Sequence, residues 1–433
     1  MKIEQDPHKL DIVSTNIDGC GYTADGKTGA IGALEGEQIL GTFLSKRKEK
    51  KVFSIKEVIK TSPERVEPLC SVANVCGGCS FQHANSDYQL KLKEEYLSSL
   101  MGQLQPNRWA KPINVNSYFY RTRARLGVKY VEKKERVLIG FREKFKSYIT
   151  DMVCCPIMIE RASEVLAPLS KTLQELSIRK SLPQIEVIAG DSRIGLIFRH
   201  LEPLTESDEK ALTSFSAGCD IDVYLQSGGP RTIKKLFPRD LEEDFFYDLP
   251  DFDLRLSFSL GDFTQINLEA NRHLVNSVIS LLDLKKDDKV LDAFCGIGNF
   301  SLPIARRASV VYGVEYSESS VKRAIINARE NNIQNCYFQA CDLVSGEPGI
   351  DVLSDVNKIV LDPPRSGASE FISALPIQNI ERIVYVSCNP VTFVKDISVL
   401  IKKGFEFEVA GVVNMFPHTK HVESIALLSR SGN

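Results

Sequence analysis

Two side chains stand out for the chemistry they offer: Cys388 in Ser387-Cys388-Asn389-Pro390, and Glu423 in Pro417-His418-Thr419-Lys420-His421-Val422-Glu423-Ser424. Cys388 closes an apolar, strand-like run (RIVYVS) and precedes a helix start, where the helix dipole favours a thiolate. A core cysteine is ordinarily an inert small hydrophobe, and that is the reading for Cys219 and Cys336. At a strand end, a thiolate suits chemistry at carbon 5 of a pyrimidine. That carbon is a poor nucleophile until a group adds to carbon 6, and addition of Cys388 gives an enolate whose carbon 5 can attack a sulfonium methyl. The adduct must then lose its carbon 5 proton to a base. Glu423 opens the last strand-like run, ESIALLSR; an antiparallel strand there begins at the edge where parallel neighbours end, so Glu423 faces Cys388 as general base. The bland alternative is a solvated glutamate beside His421. His418 and His421 are spaced as metal ligands can be, but they lack a partner at ligand spacing and read as loop groups.

Upstream, the strand-like run KVLDAF leads into Cys295-Gly296-Ile297-Gly298-Asn299-Phe300. Gly296 and Gly298 let a ligand approach the backbone closely. A dinucleotide fingerprint would put its third glycine at Ser301, so the phosphate site is incomplete; S-adenosylmethionine carries no phosphate and does not need it. Glu315, about twenty residues further at the next strand end, is placed to bond both ribose hydroxyls. Asp342, after the third strand, is placed to reach the adenine amino group. In Asp362-Pro363-Pro364-Arg365-Ser366-Gly367, enzymes acting on exocyclic amino groups carry an aromatic residue after the two prolines. Arg365 therefore argues against amino methylation. A cytosine carbon 5 enzyme would want a Pro-Cys or paired-cysteine arrangement that this segment lacks.

Eleven cysteines without a signal-like start point to metal binding or catalysis rather than disulfides. Cys70, Cys76 and Cys79 share a glycine-bearing loop, and Cys154-Cys155 offers a fourth thiol. Spacing alone leaves zinc and an iron–sulfur cluster both open. The five residues between Cys70 and Cys76 differ from the three typical of radical S-adenosylmethionine enzymes, which points to a structural or RNA-positioning site.

These residues need elements to hold them. A chain of 433 residues implies two or three domains, and 43% hydrophobic with 25% charged residues implies a globular protein. No window approaches the roughly 18 apolar residues of a membrane span, and the start MKIEQDPHKL has no apolar stretch, so the expected location is the cytoplasm. A net charge of -2 gives no global footprint for nucleic acid. Three local basic runs together form a candidate phosphate-contacting surface: Lys46 to Lys51, then Arg121, Arg123 and Arg125, then Lys133 to Lys146. Up to Thr61-Ser62-Pro63, short apolar runs alternate with glycine turns as in small five-stranded barrels. Residues 86–102 have helical spacing, and the middle of the chain to about 255 carries no clear motif. From about 265 onward, apolar strands alternate with amphipathic helices, which predicts an α/β, Rossmann-like doubly wound sheet binding its ligand beyond the strand ends.

With these motifs together, the sequence resembles the 23S ribosomal RNA uracil-5-methyltransferase group of the RNA 5-methyluridine methyltransferase family. The resemblance spans CSVANVCGGCSFQHA, YRTRARL, GFREK, CCPIM, FTQIN, LDAFCGIGNFSLPIA, GVEYS, LDPPRSGA, YVSCNP and MFPHTKHVES. It implies a TRAM-like, OB-like RNA-binding barrel over 1–62, a central α+β domain over 63–255 with an iron–sulfur cluster, and a class I S-adenosylmethionine-dependent catalytic domain over 256–433. It further implies a [4Fe-4S] cluster on Cys70, Cys76, Cys79 and Cys155, and cofactor contacts from Gln265, Phe294, Asn299, Glu315, Asp342 and Asp362. Phe263 would stack on the extracted uracil and Arg125 would touch the RNA. The partner implied is ribosomal RNA, with transfer RNA as the alternative, bound by a monomer that needs no protein partner and no membrane. The rival of another class is a non-catalytic iron–sulfur RNA-binding protein; Cys388, Glu423 and the intact glycine loop speak against it.

Overall fold

The computed structural model describes residues 6–47, 49–144, 146–238, 244–343 and 354–430. The first strands are β1 (His8–Asp11), β2 (Ser14–Thr15), β3 (Cys20–Tyr22), β4 (Thr28–Ile31), β5 (Gln38–Arg47) and β6 (Lys50–Lys60). They form a six-stranded sheet of order β1-β5-β6-β4-β3-β2. Only Ile12 and Val13 separate β1 from β2, and the two pair at opposite edges of the sheet, on β5 and on β3. One bent strand therefore closes the sheet around Leu10, Ile12, Ala30, Ile39 and Phe53. Of the basic run on β5 and β6, Lys48 lies outside the described residues.

Next come α1 (Ser86–Met101), β7 (Arg108–Trp109), β8 (Arg123–Val131), β9 (Arg136–Gly140), α2 (Glu160–Glu164), α3 (Leu166–Glu175), β10 (Gln184–Ala189), β11 (Ile194–Arg199), α4 (Glu206–Cys219), β12 (Asp222–Gln226), β13 (Ile233–Phe237), β14 (Phe245–Leu249) and β15 (Leu254–Phe258). The middle of the chain, illegible as a motif, is a mixed sheet of order β13-β12-β11-β10-β8-β9. Val187, Leu196 and Val223 on one face pack with Leu166, Leu169 and Leu173 of α3 and with Leu212 of α4. Asn85 caps α1 by accepting the Tyr88 N–H. This helix joins a different layer: Leu90, Leu97 and Met101 share a core with Leu291, Phe393 and Ile397. Leu97 is 0% exposed, so Leu97→Ala costs about 2–5 kcal/mol.

The remaining elements are α5 (Leu268–Leu282), β16 (Lys289–Ala293), α6 (Ser301–Ala305), β17 (Val310–Glu315), α7 (Glu318–Glu330), β18 (Cys336–Ala340), β19 (Lys358–Leu361), α8 (Ser369–Ala374), β20 (Arg382–Ser387), α9 (Pro390–Lys402), β21 (Glu406–Val413) and β22 (Glu423–Ser429). They build an eight-stranded sheet of order β18-β17-β16-β19-β20-β22-β21-β7. β18 to β20 are parallel, while β22 is antiparallel to both β20 and β21. Strand alternation sends Val290, Val360 and Val384 to the face covered by α5, and Leu291, Ile359 and Ile383 to the face covered by α1, α8 and α9. The strand order reverses between β16 and β19, whose last residues Ala293 and Leu361 are paired. A crevice for a ligand opens beyond such a point. Among the described residues, no helix is long and apolar enough to cross a membrane.

Candidate active site

The chain leaves β16 through Phe294, Gly296 and Gly298 at φ 68°, 55° and 96°. An aromatic residue rarely adopts that conformation. Two bonds to the Val314 carbonyl hold it, from the N–H groups of Phe294 (2.8 Å) and Cys295 (3.0 Å). Where a Gly296 side chain would stand there is nothing within 4 Å, so a ligand can lie on the backbone. At the end of β17, Glu315 accepts the Gly296 N–H (3.2 Å) and the Ser317 N–H (2.9 Å), which aims its carboxylate into the crevice mouth. The Asn299 side-chain oxygen accepts Tyr247 Oη–H (2.9 Å) and Asn271 Nδ2–H (2.8 Å), and its own Nδ2 donates to Asn271 Oδ1 (2.9 Å). One Asn299 amide hydrogen is left for a ligand. Gln265 is half-buried just before α5, and Asp342 is exposed after β18.

Sequence reasoning passed over Asp292, Tyr247 and Asn271. Asp292 is fully buried, accepts the Ser301 hydroxyl, and is pushed up to about 7 by burial and by repulsion from Glu315. Asp362 is likewise pushed up to about 7, by burial and then by Asp292 and Glu315. Mutually repelling carboxyls around a crevice favour a cationic guest such as a sulfonium. The apolar period hid Asp292, which occupies an inward position of a strand written LDAF.

Ser387 and Ser424 are paired across β20 and β22, so Cys388, just past the end of β20, stands beside Glu423, the first residue of β22. Asn389 caps α9 by accepting the Val391 N–H (3.1 Å), and Pro390 occupies the first turn. The Asn389 amide donates to the Arg365 carbonyl (2.8 Å), which brings the segment after β19 against this turn. Other forces act on the thiol besides the start of α9. Burial, then Glu423 and Asp362, push Cys388 up to about 11, while Arg365 pulls it back by charge and a hydrogen bond. Glu423 is 2% exposed and held well above the usual carboxylate range by burial and by Asp362. Burial thus favours the neutral forms of both groups, and a positive charge brought beside them would favour the ionised ones.

Phe263 is 69% exposed on a loop fixed from below. Arg123 donates to the carbonyls of Asp262 (2.6 Å) and Leu260 (2.9 Å), and the Thr122 N–H and hydroxyl both bond Ile266 O (2.9 and 3.1 Å). The arginines of YRTRARL thus divide their work, a correction to their joint phosphate-contacting expectation. Arg121 bonds the Arg123 carbonyl (2.7 Å) and Arg123 builds the Phe263 loop. Arg125 remains outside, 69% exposed and paired with Glu186 (2.7 Å), a surface pair of the kind that contributes little to stability.

All eleven cysteines are unbridged. Cys70, Cys76, Cys79 and Cys155 are buried at 9%, 6%, 8% and 4% exposure, and Cys154 is exposed. Burial raises all four thiols; Cys76 raises Cys70 further, and Cys76 and Cys70 raise both Cys79 and Cys155. The Gly78 N–H points at Cys76 Sγ (3.4 Å) and the Gln82 amide at Cys79 Sγ (3.3 Å). Lys144 donates to Ala73 O (2.8 Å), inside the Cys70–Cys76 loop, and its charge acts on Cys70, Cys76 and Cys79. Soft, buried donors with N–H groups and a cation aimed at them fit an anionic metal–thiolate group. Among the described residues, no cluster of His, Cys, Asp and Glu stands ready around a single metal ion. His418 and His421 belong to separate contacts, the first with Gln89 and the second with the Phe416 ring.

The sheet order, the glycine turn and the acidic strand ends define a Rossmann-like α/β protein of the methyltransferase class. A family model described as tRNA (Uracil-5-)-methyltransferase matches residues 85–431. Relatives named 23S rRNA (uracil(1939)-C(5))-methyltransferase RlmD include one from Hahella chejuensis, 40% identical over 99% of both chains. Another, from Aromatoleum aromaticum, is 43% identical over 97% of this chain and 99% of its own. The solved Pyrococcus abyssi tRNA (uracil-54, C5)-methyltransferase, in complex with S-adenosyl-L-homocysteine, shares the fold at TM-score 0.77 and 24% identity, covering 97% of this chain and 100% of its own. The chain belongs to the RNA uracil-5-methyltransferase family.

Proposed function

We propose that the protein transfers a methyl group from S-adenosylmethionine to carbon 5 of a uridine in 23S ribosomal RNA. One observation carries the chemistry: Cys388 and Glu423 stand side by side at the ends of adjacent antiparallel strands, at the edge where the glycine turn opens. The ribosomal substrate is supported by the names of relatives that match nearly full length, whose target is uracil 1939.

Gln265, Phe294, the backbone at Gly296 and Gly298, Asn299, Glu315, Asp342 and Asp362 line the cofactor, with Glu315 on the ribose. When bound, the cofactor supplies an electrophilic methyl on a positively charged sulfur. A cation nearby favours the carboxylate forms of Asp362 and Glu423, which release their protons to solvent; the Cys388 thiol likewise gives its proton to solvent and, as the thiolate, adds to carbon 6. Phe263 stacks on the extracted base, offsetting part of the unstacking cost. Carbon 5 takes the methyl, Glu423 removes the carbon 5 proton, and Cys388 leaves. Arg365 balances the charge on the sulfur through this cycle.

The barrel over 1–62 and the central region over 63–255 hold the RNA. A cavity of about 950 Å³ where these two regions meet Lys420 is lined by Lys50, Arg142, Lys144, Lys146 and Lys420, the last two paired with Glu143 and Asp18. Cys70, Cys76, Cys79 and Cys155 hold a [4Fe-4S] cluster that keeps their loops in place; Cys154 points outward. The protein works as a monomer in the cytoplasm. Tritium release from RNA labelled at uridine carbon 5 tests the proposal. Stoichiometric release with methyl transfer to 23S RNA supports it, release only from transfer RNA moves the substrate, and methylation without release ends it.

A further inference from the structure

Among the described residues, Glu135, Asp220, Asp253 and Asp283 have positive φ where helical turns close, an ordinary setting. His418 closes no helix, yet its φ is 61° and it is 2% exposed. Its backbone is over-determined. The His418 carbonyl accepts the N–H groups of Ser80 (2.7 Å) and Phe81 (3.1 Å), the two residues that follow Cys79. Its own N–H donates to Gln89 Oε1 (2.8 Å), and Gln89 Nε2 lies 3.1 Å from His418 Nδ1. The Tyr118 ring packs against the imidazole, tilted by 39° with centroids 4.6 Å apart, and Tyr120 Oη donates to the preceding carbonyl, Pro417 O (3.0 Å). Lys93, 0% exposed, fixes the approach by donating to Asn414 Oδ1 (3.0 Å) and Phe416 O (2.9 Å). From His418 the chain reaches Glu423 through a tight turn in which Thr419 Oγ1 donates to Phe416 O (2.9 Å) and accepts the His421 N–H (3.3 Å).

We propose that His418 is a positioning residue whose left-handed backbone ties the cysteine-bearing loop to the general base, so that the metal–thiolate group sets where Glu423 stands. A buried carbonyl stripped of two donors is costly, so the Cys79 end cannot shift without dragging the turn that leads into β22. Such a group then serves the proton-removal step without touching substrate. This inference rests on the proposed roles of Cys388 and Glu423 and on the proposed cluster at Cys70, Cys76, Cys79 and Cys155.

Three substitutions in the holoenzyme separate backbone from imidazole. Glycine and asparagine accept positive φ, and β-branched valine resists it. For His418→Val the expected result is at least a tenfold fall in kcat with KM for RNA within twofold. A Cys388–RNA adduct that survives denaturation should build up, with cluster absorption retained. His418→Gly and His418→Asn should stay within about threefold of wild type. If His418→Val does not fold, Gln89→Leu, which removes the acceptor of the His418 N–H, should show the same adduct. In wild-type protein, anaerobic removal of the cluster should speed amide exchange at residues 416–422 while β20 stays protected. Valine behaving as glycine does, a loss confined to KM, or unchanged exchange at 416–422 would each overturn the proposal. Glu423→Gln is the control: if it forms no adduct, the base assignment itself fails, independently of His418.

Discussion

Cys388 and Glu423 stand one step beyond the Ser387–Ser424 pair, at the ends of strands that run in opposite directions. Neighbouring chains in such a ladder are about 5 Å apart, so a base held between the two side chains meets the nucleophile and the proton acceptor at once. The two groups act in sequence and are separable by mutation. Cys388→Ala should abolish both adduct and methyl transfer. Glu423→Gln should slow turnover by about 10²–10⁴-fold and trap methylated RNA on Cys388, visible as a retarded band on denaturing gels.

Asp362 is pushed up to about 7 from an ordinary 3.8, so it carries a proton in the empty protein below that pH. A sulfonium favours the carboxylate, so binding releases the proton and tightens as pH rises through 7, then levels off. S-adenosylhomocysteine lacks the charge and should bind with a nearly flat pH profile. Calorimetry of both ligands between pH 5.5 and 8.5 checks this; parallel profiles would remove Asp362 from the cofactor site.

Phe263 is exposed while Arg123 beneath it is not, and the two should fail differently. Phe263→Ala should weaken RNA binding roughly 5- to 150-fold, the worth of one stacked base, with thermal stability unchanged. Arg123→Ala leaves the carbonyls of Leu260 and Asp262 without their donor, so it should lower stability by about 1–3 kcal/mol and also weaken RNA binding.

The cysteine set divides by burial. Cys155→Ser should lose the broad absorption near 400 nm of anaerobically purified protein, whereas the exposed Cys154→Ser should keep it. A colourless, zinc-containing and fully active wild-type protein would remove the iron–sulfur assignment.

Much of the catalytic sheet was legible in the sequence because its strands are short apolar runs ending in chemistry: KVLDAF before the glycine turn, RIVYVS before Cys388. The placement of Glu423 followed from strand direction alone. Less visible was what depends on contacts between distant segments. Asp292 looks like an ordinary strand residue until burial against Glu315 gives it a role. Arg123 looks like a phosphate contact until its carbonyl partners 137 and 139 residues away are seen. The thiol of Cys388 shows the same limit: its helix start and its facing Glu423 were readable, and the burial that raises the thiol, with Asp362 brought beside it by folding, was not. His418 resembled half of a metal pair, and only the fold shows its carbonyl holding the cysteine loop.

The central claim is methylation of a 23S uridine at carbon 5, and mass-spectrometric mapping of modified nucleotides tests it most directly. Ribosomal and transfer RNA from cells with and without the protein should differ by one 5-methyluridine in 23S RNA, restored by the wild-type protein and not by Cys388→Ala. An unchanged 23S map, or a loss of 5-methyluridine confined to transfer RNA, would contradict it.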